Sequence, residues 1–367
     1  MSTPRITVGL PVYKGADLIA NCLDCLQRQT FGDFEAIISV DGGDAETAAA
    51  ARPFLVDPRF RMVVHPERLD WVGNFNWLLQ QDLREFFCYR QHDDATAPNF
   101  FEVLLQTADR ELKAAAVYCD CQYTGGRNDI EIAHSIEGET LDRLRQYIEF
   151  LPVLPARGLI RTPAIRQTGL VRSNEVRAGS EIFVWLAKLV RWGNFRRVGK
   201  ALYYRLDHPD SITNQLQGWP EVRKRVLWTT MFTGLLEAAI PLCRTPEERL
   251  FFQQAVVDRI VIHRPNTETR SSKELMAQCL ERLRHEGSAH LLTAEELPPI
   301  VKELERRLDE INMLERSRTR RFIHRMRRRS RIARLIYPRS QMRRAIYQAR
   351  YPFKMLRRHL SKLLLPT

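Results

Sequence analysis

Asp93 and Asp94 stand side by side a few residues beyond Phe86-Phe87-Cys88-Tyr89, a run apolar enough to be a buried strand. Adjacent carboxylates repel one another and resist burial. At the carboxyl end of a parallel strand they would face the crevice in which open α/β sheets bind ligands. A divalent cation would relieve the repulsion, and hard oxygen ligands suit Mg2+ or Mn2+. The plain alternative is a solvated Asp-Asp turn. The elements around the pair decide between the two.

Those elements follow from the hydrophobic pattern. Ile6-Thr7-Val8-Gly9-Leu10 reads as a first strand ending at Pro11, followed by a helix from about Ala16 to Gln29. A second buried strand over 35–40 is closed by Asp41-Gly42-Gly43, and a helix runs from Glu46 to about Leu55. A strand over 61–64, a helix over 74–83, the strand before the acid pair, a helix over 99–112 and a strand over 115–119 complete the series. Short apolar strands alternating with helices of this length predict βαβ units and a mostly parallel sheet. Beyond residue 120 the alternation fades. Thr124-Gly125-Gly126 reads as a loop, 141–150 and 180–192 as helices and 201–205 as a short strand, and helical patterns dominate from 219 to about 315.

Composition narrows the class. No run of about 18 apolar residues is present, so no transmembrane helix is expected. The first residues enter a strand pattern at once, which leaves no room for a signal peptide. The seven cysteines lie in apolar patterns, and the Cys22/Cys25 spacing has no second CxxC to complete a zinc site. They read as packed thiols in a reducing compartment. The net charge of +13 is localised: from Arg316 onward there are 18 Lys and Arg and no acid, so the body holds 57 − 18 = 39 bases against 44 acids. The body is mildly acidic, and the tail alone calls for an anionic partner.

Several segments in order are similar to one known family. Ile6-Thr-Val-Gly-Leu-Pro-Val-Tyr13, Gln27-Arg-Gln-Thr-Phe-Gly-Asp-Phe-Glu35 and Ser39-Val-Asp41-Gly-Gly43 resemble the opening of family 2 glycosyltransferases. The resemblance continues through Asp57-Pro58-Arg59-Phe60-Arg61, Asn74-Phe75-Asn76-Trp77 and Asp93-Asp94. It resumes at Glu181-Ile-Phe-Val-Trp185 and at Tyr203-Tyr-Arg-Leu-Asp-His208-Pro-Asp-Ser211, covering roughly residues 4–215. It implies the GT-A fold, an α/β nucleotide-binding fold with a mostly parallel sheet, here followed by a helical region and a basic tail. The implied organisation is a nucleotide-sugar-binding half (1–120), an acceptor-binding half (121–215), a helical extension (216–315) and a basic amphipathic tail (316–367).

The resemblance also implies roles. Pro11 and Tyr13 end the first strand, with Tyr13 stacking near the nucleotide base. Asp41 accepts a hydrogen bond from the base imino group, a contact that a buried carboxylate makes strongly. Asp93 contacts the ribose, and Asp94 binds the Mg2+ or Mn2+ that bridges the diphosphate. His208, in a loop after a strand, reaches the metal or the diphosphate. Glu181 stands where the family usually has an Asp acting as general base on the acceptor hydroxyl. Its plain alternative is an acid favoured by the dipole of a helix first turn. Two departures stand out: His92 where many relatives carry the first acid of Asp-x-Asp, and Asp70 where many have Gly.

In the tail, Phe322, Ile323, Met326, Ala333 and Ile336 fall largely on one helical face, and Met355, Leu356, Leu360, Leu363 and Leu364 form a last apolar stripe. Basic amphipathic helices lie on anionic membranes, so residues 316–367 predict a peripheral position at the inner face of the cell membrane. The plain alternative is a solvated, disordered tail, and nucleic acid is the weaker one, because no nucleic-acid-binding motif accompanies the charge. The expected activity is transfer of a sugar from a nucleotide-diphosphate sugar, with inversion, to a hydroxyl of a glycan or lipid-linked glycan. A nucleotidyltransferase would also use acids and a metal, but no Gly-rich phosphate loop is present. The rival from another class is a non-catalytic binding protein built on a degenerate transferase domain.

Overall fold

A computed structural model describes residues 3–263 apart from Ala178 and Asp210, together with Lys302 and Arg306. The chain divides into two compact units, residues 1–301 and 302–367. The tail 316–367, on which the membrane expectation falls, lies outside the described residues.

The strands are β1 (Ile6–Val12), β2 (Phe34–Val40), β3 (Phe60–Val64), β4 (Phe86–Tyr89), β5 (Ala95–Thr96), β6 (Ala114–Gly125), β7 (Ile130–Glu131), β8 (Leu159–Arg161) and β9 (Asn194–Asp207). The helices are α1 (Ala16–Gln27), α2 (Ala45–Ala51), α3 (Asp70–Leu79), α4 (Phe100–Arg110), α5 (Thr140–Phe150), α6 (Thr162–Thr168), α7 (Glu181–Leu189), α8 (Ile212–Gln215), α9 (Glu221–Ala239) and α10 (Pro246–His263). They form one mixed sheet in the order β3-β2-β1-β4-β8-β6-β9-β5, with β7 on β6. The first four strands are mutually parallel, as are β6 and β9; the antiparallel pairs are short.

β1, held between β2 and β4, is buried along nearly its whole length and so reads as a continuous apolar run. The chain passes outward from β1 to β2 and β3, then crosses back to β4 on the other side of β1. That reversal opens a crevice beyond the carboxyl ends of β1 and β4. Val12 is in register with Val40, and Gly9 with Tyr89, so Tyr13, Asp41 and residues 90–94 emerge on one edge. α1 buries Ile19, Cys22, Leu23 and Leu26, each fully buried side chain contributing about 1.5–3 kcal/mol.

Several elements depart from the sequence expectation, β1, β6, β9 and α2 among them. β1 continues through Pro11 to Val12, because β4 pairs only as far as Gly9 and leaves Pro11 with no amide to supply on that side. β6 and β9 are far longer than the strands expected at 115–119 and 201–205, since they pair with each other from Ala114/Asn194 to Gly125/Asp207. Gly125 therefore ends a strand, where a loop was expected. α2 stops at Ala51 and gives way to a 3-10 turn at Arg52–Val56, because Pro53 cannot continue the backbone ladder.

Candidate active site

The loop after β1 is built by Asp44, the N-cap of α2. Its carboxylate accepts from the Thr47 hydroxyl at 2.6 Å, the Thr47 amide at 3.1 Å and the Lys14 amide at 2.6 Å. Partial burial alone would raise its pKa, but these donors outweigh it and hold the carboxyl below the usual range. Gly15 N donates in turn to the Thr47 hydroxyl. This anchorage presents Tyr13, more than a third exposed, at the mouth of the crevice.

Asp41, at the end of β2, is almost wholly buried. One of its oxygens accepts from the Leu69 amide at 2.7 Å, and the other meets Arg68 Nη1 at 3.1 Å. The Arg68 guanidinium also lies flat on the Tyr13 ring, 3.2 Å from its centroid. Gly42 has φ +64°, and a Cβ there would come within 3.2 Å of Arg68 Cδ, so the Gly-Gly turn serves both backbone and packing. Arg68 thus touches both Tyr13 and Asp41, and the sequence reading overlooked it. Its only signal was a cation two residues before the departure at Asp70. Asp70 itself sits at φ +61°, in the left-handed region that favours Gly, and pairs with Arg177.

The two acids face opposite ways. Asp94 is 1 % exposed; its oxygens accept from the Tyr203 hydroxyl at 2.6 Å and the Leu206 amide at 3.2 Å, and Arg157 Nη1 lies 3.8 Å away. Burial, with the neighbouring Asp93 charge adding to it, pushes the Asp94 carboxyl above the usual range. Asp94, implied above as the metal ligand, ties the end of β4 to β9 from inside the fold. Asp93 instead turns to His208, whose Nε2 is 3.3 Å from Asp93 Oδ2, both side chains being partly open to solvent. Asn214 accepts no part in that pair but braces its loop, donating to Asp207 Oδ1 and to the His208 carbonyl. Asp93 Oδ1 is buried without a donor among the described residues.

An acceptor-only oxygen without a donor, next to an imidazole, is a donor set that a divalent cation fits. Among the described residues no cluster of three or more His, Cys, Asp or Glu is present. An ion here would therefore complete its coordination with substrate oxygens and water, the usual habit of Mg2+ beside a diphosphate.

Sequence reasoning also overlooked two buried arginines. Arg90 lies between the rings of Phe100 and Tyr203, 5.0 Å from each centroid, and its guanidinium nitrogens have no hydrogen-bond partner among the described residues. Arg157 lies over Tyr89, at 5.2 Å. Gly158 beside it presses on the backbone of Val117 and Tyr118 so closely that a Cβ has no room. Arg90 directly follows the apolar run of β4, which was the available sign; Arg157 had none.

Glu181 opens α7 and is 3 % exposed, with neither oxygen in hydrogen-bond geometry among the described residues. Burial pushes its carboxyl up, partly offset by the nearby amides of Asn174 and Gly179. Asn174 organises the approach, accepting from the Val176 and Arg177 amides and donating to Ser180 Oγ. One turn on, Trp185 donates to the Gly169 carbonyl and meets Phe75 edge-on at 5.8 Å, and Phe75 meets Tyr89 at 5.0 Å. This aromatic chain fixes the start of α7 relative to the end of β4.

The sheet order, with Tyr13, Asp41 and the Asp93–His208 pair on one edge, is that of a mixed α/β domain of the GT-A kind. Over residues 7–166 the chain matches the family model described as glycosyl transferase family 2. It is 29% identical over 142 residues to EpsH of Bacillus subtilis (strain 168), which bears a provisional glycosyltransferase designation, covering 38% of this chain and 41% of that protein. It is 36% identical over 66 residues to a PGL/p-HBAD biosynthesis glycosyltransferase of Mycobacterium tuberculosis (strain ATCC 25618 / H37Rv), covering 18% of this chain and 25% of that protein. The match thus spans well under half the length of these curated relatives. In structure it is similar to S. aureus TarS 1-349 in complex with UDP, with a TM-score of 0.60 at 13% identity over 86% of this chain and 93% of that one. It is also similar to the mannosyltransferase PcManGT from Pyrobaculum calidifontis in complex with GDP-Man and Mn2+, with a TM-score of 0.51 at 14% identity over 86% of this chain and 89% of that one. At such identities these likenesses bear on the fold.

Proposed function

We propose that the protein transfers a sugar from a nucleotide-diphosphate sugar to a hydroxyl of a glycan or lipid-linked glycan, with inversion at the anomeric carbon. The Asp93–His208 pair at the switch-point edge is the observation that carries this reading. The base stacks on Tyr13 and gives its imino proton to Asp41, with Pro11 shaping the end of β1. Asp93 and His208 are the residues that would hold Mg2+ or Mn2+, which when bound would neutralise charge on the diphosphate leaving group. Asp94 supports Asp93 through Tyr203 and Leu206.

Glu181 takes the proton of the acceptor hydroxyl. The acceptor oxygen forms a bond to the anomeric carbon as the bond from that carbon to the diphosphate breaks, and the nucleoside diphosphate leaves with the electron pair. A single displacement of this kind inverts the centre. A raised carboxyl pKa suits a base that must hold a proton near neutrality. Burial of both Glu181 oxygens keeps water from the reacting centre until an acceptor arrives. In this reading residues 1–120 hold the donor, 121–215 the acceptor, 216–315 extend the domain, and 316–367 hold the enzyme to the inner face of an anionic membrane. Among the described residues no helix is long and apolar enough to cross a membrane.

The test is release of nucleoside diphosphate from a panel of sugar nucleotides with Mn2+, with and without glycan acceptors. Release stimulated by an acceptor and lost in Glu181→Gln supports transfer. Tight nucleotide binding with no turnover of any donor favours the non-catalytic alternative.

A further inference from the structure

We infer that Arg68 is an internal ligand of the nucleobase seat: its guanidinium fills the space between Tyr13 and Asp41, and a base must displace it to bind. The inference rests on the donor reading above and deepens it.

The geometry is specific. The guanidinium is planar and delocalised and carries N–H groups on its edge. It lies face-on to Tyr13, 3.2 Å from the centroid, and directs Nη1 to Asp41 Oδ2 at 3.1 Å. A nucleobase with an imino N–H would make these same two contacts, one through its face and one through its edge. On the same face of Tyr13 and the same oxygen of Asp41, both cannot be present at once.

The chemistry of Asp41 explains why something occupies the seat. Its side chain is 2% exposed, and the Leu69 amide satisfies one oxygen only. A carboxylate oxygen left buried without a partner is costly. Arg68 supplies the second partner until a base does, so Asp41 is never left half-satisfied. Arg68, in contrast, is 41% exposed and can swing into solvent on a long stem. Its remaining contact is a looser one to Asp70, at 3.7 Å. Ion pairs and ring contacts at this exposure are weak enough for a ligand to exchange.

An internal competitor has two measurable consequences. The apparent affinity for the base is reduced by the fraction of molecules in which the seat is filled. Because a half-exposed ion pair is screened by salt, that competition weakens as salt rises. A neutral nucleoside has no charge of its own to screen, so its binding should strengthen with salt, contrary to the behaviour of an anionic ligand.

The experiment measures binding of uridine and of guanosine to the full chain by calorimetry or ligand-observed NMR, for the parent and for Arg68→Met, at low and high salt. UDP and GDP serve as references. We expect Arg68→Met to bind the preferred nucleoside about three- to tenfold more tightly, with no salt dependence. The parent should gain affinity as salt rises. Parent protein that binds a nucleoside no more tightly at high salt, or a variant that binds no better than the parent, overturns the internal-ligand role and leaves the donor reading standing. Failure of both proteins to bind any nucleoside or either diphosphate overturns the donor reading and this inference together. The salt series needs only the parent, so it holds even if the variant is poorly folded.

Discussion

Nε2 of His208 lies 3.3 Å from Oδ2 of Asp93, across 115 residues of sequence, whereas the adjacent Asp94 points inward to Tyr203 and Leu206. One peptide unit thus separates a group that can meet substrate from one that holds the fold. Asp93→Asn should abolish metal-dependent turnover with little change in thermal stability. His208→Ala should raise the Mn2+ needed for half-maximal turnover by at least about tenfold, the scale on which even outer partners of a metal matter. Metal titrations of turnover check both, and a parent-like Mn2+ requirement in both variants contradicts the assignment.

Asp94→Ala should act on stability. It removes the acceptor of a buried phenol and a backbone amide and leaves Arg157 without its nearest carboxylate. The loss should be about 3 kcal/mol, read from urea unfolding. A variant that unfolds within about 0.5 kcal/mol of the parent, yet has lost turnover, would return the metal role to Asp94.

Glu181→Gln should keep donor binding and lower transfer roughly 10²–10⁴-fold. Because burial raises the Glu181 carboxyl above its ordinary 4.5, the acid limb of the pH–rate profile should lie above that value. Its stability effect has a definite sign. A folded-state pKa above the unfolded one disfavours the charged form in the fold. The penalty is absent below the unfolded pKa, grows as pH rises through the folded pKa, and is complete above it. Glu181→Gln should therefore be more stable than the parent at neutral pH and not at strongly acid pH. A gain that is independent of pH excludes a charge penalty.

Deleting residues 316–367 should release the protein from anionic vesicles without loss of turnover on a soluble acceptor. Each surface Lys or Arg contributes about 1 kcal/mol to such binding. The attraction acts within a Debye length of about 8 Å at physiological salt, so high salt should weaken sedimentation of the full chain. Equal sedimentation of both forms rules out the anchor, and binding to RNA but not to vesicles favours the nucleic-acid alternative.

The first half of the fold was readable from pattern because β1, β2 and β4 are buried on both faces and alternate with amphipathic helices. β6 and β9 were not, since Asp120, Gln122, Arg196 and Arg197 break the apolar pattern, and the pairing that extends them is between segments far apart in sequence. Asp120 and Arg197 are partners across that very pair, at 2.7 Å. The candidate residues named from the sequence lie on loops at one edge of the sheet, but the facing of Asp93 and Asp94 depends on how the turn after β4 is rotated, and residue types do not encode that rotation. Arg68, Arg90 and Arg157 were overlooked for a related reason. A cation in a sequence reads as surface, and only the rings and carboxylates of other elements show that these three are held inside or across a site.

The most direct measurement is nucleoside diphosphate release from UDP-, dTDP- and GDP-sugars by the full chain with Mn2+, run beside Asp93→Asn under the same conditions. The expected result is turnover of one donor class that requires Mn2+ and disappears in the variant. Release from no donor, or equal release by parent and Asp93→Asn, would contradict a glycosyl-transfer site built on Asp93 and His208.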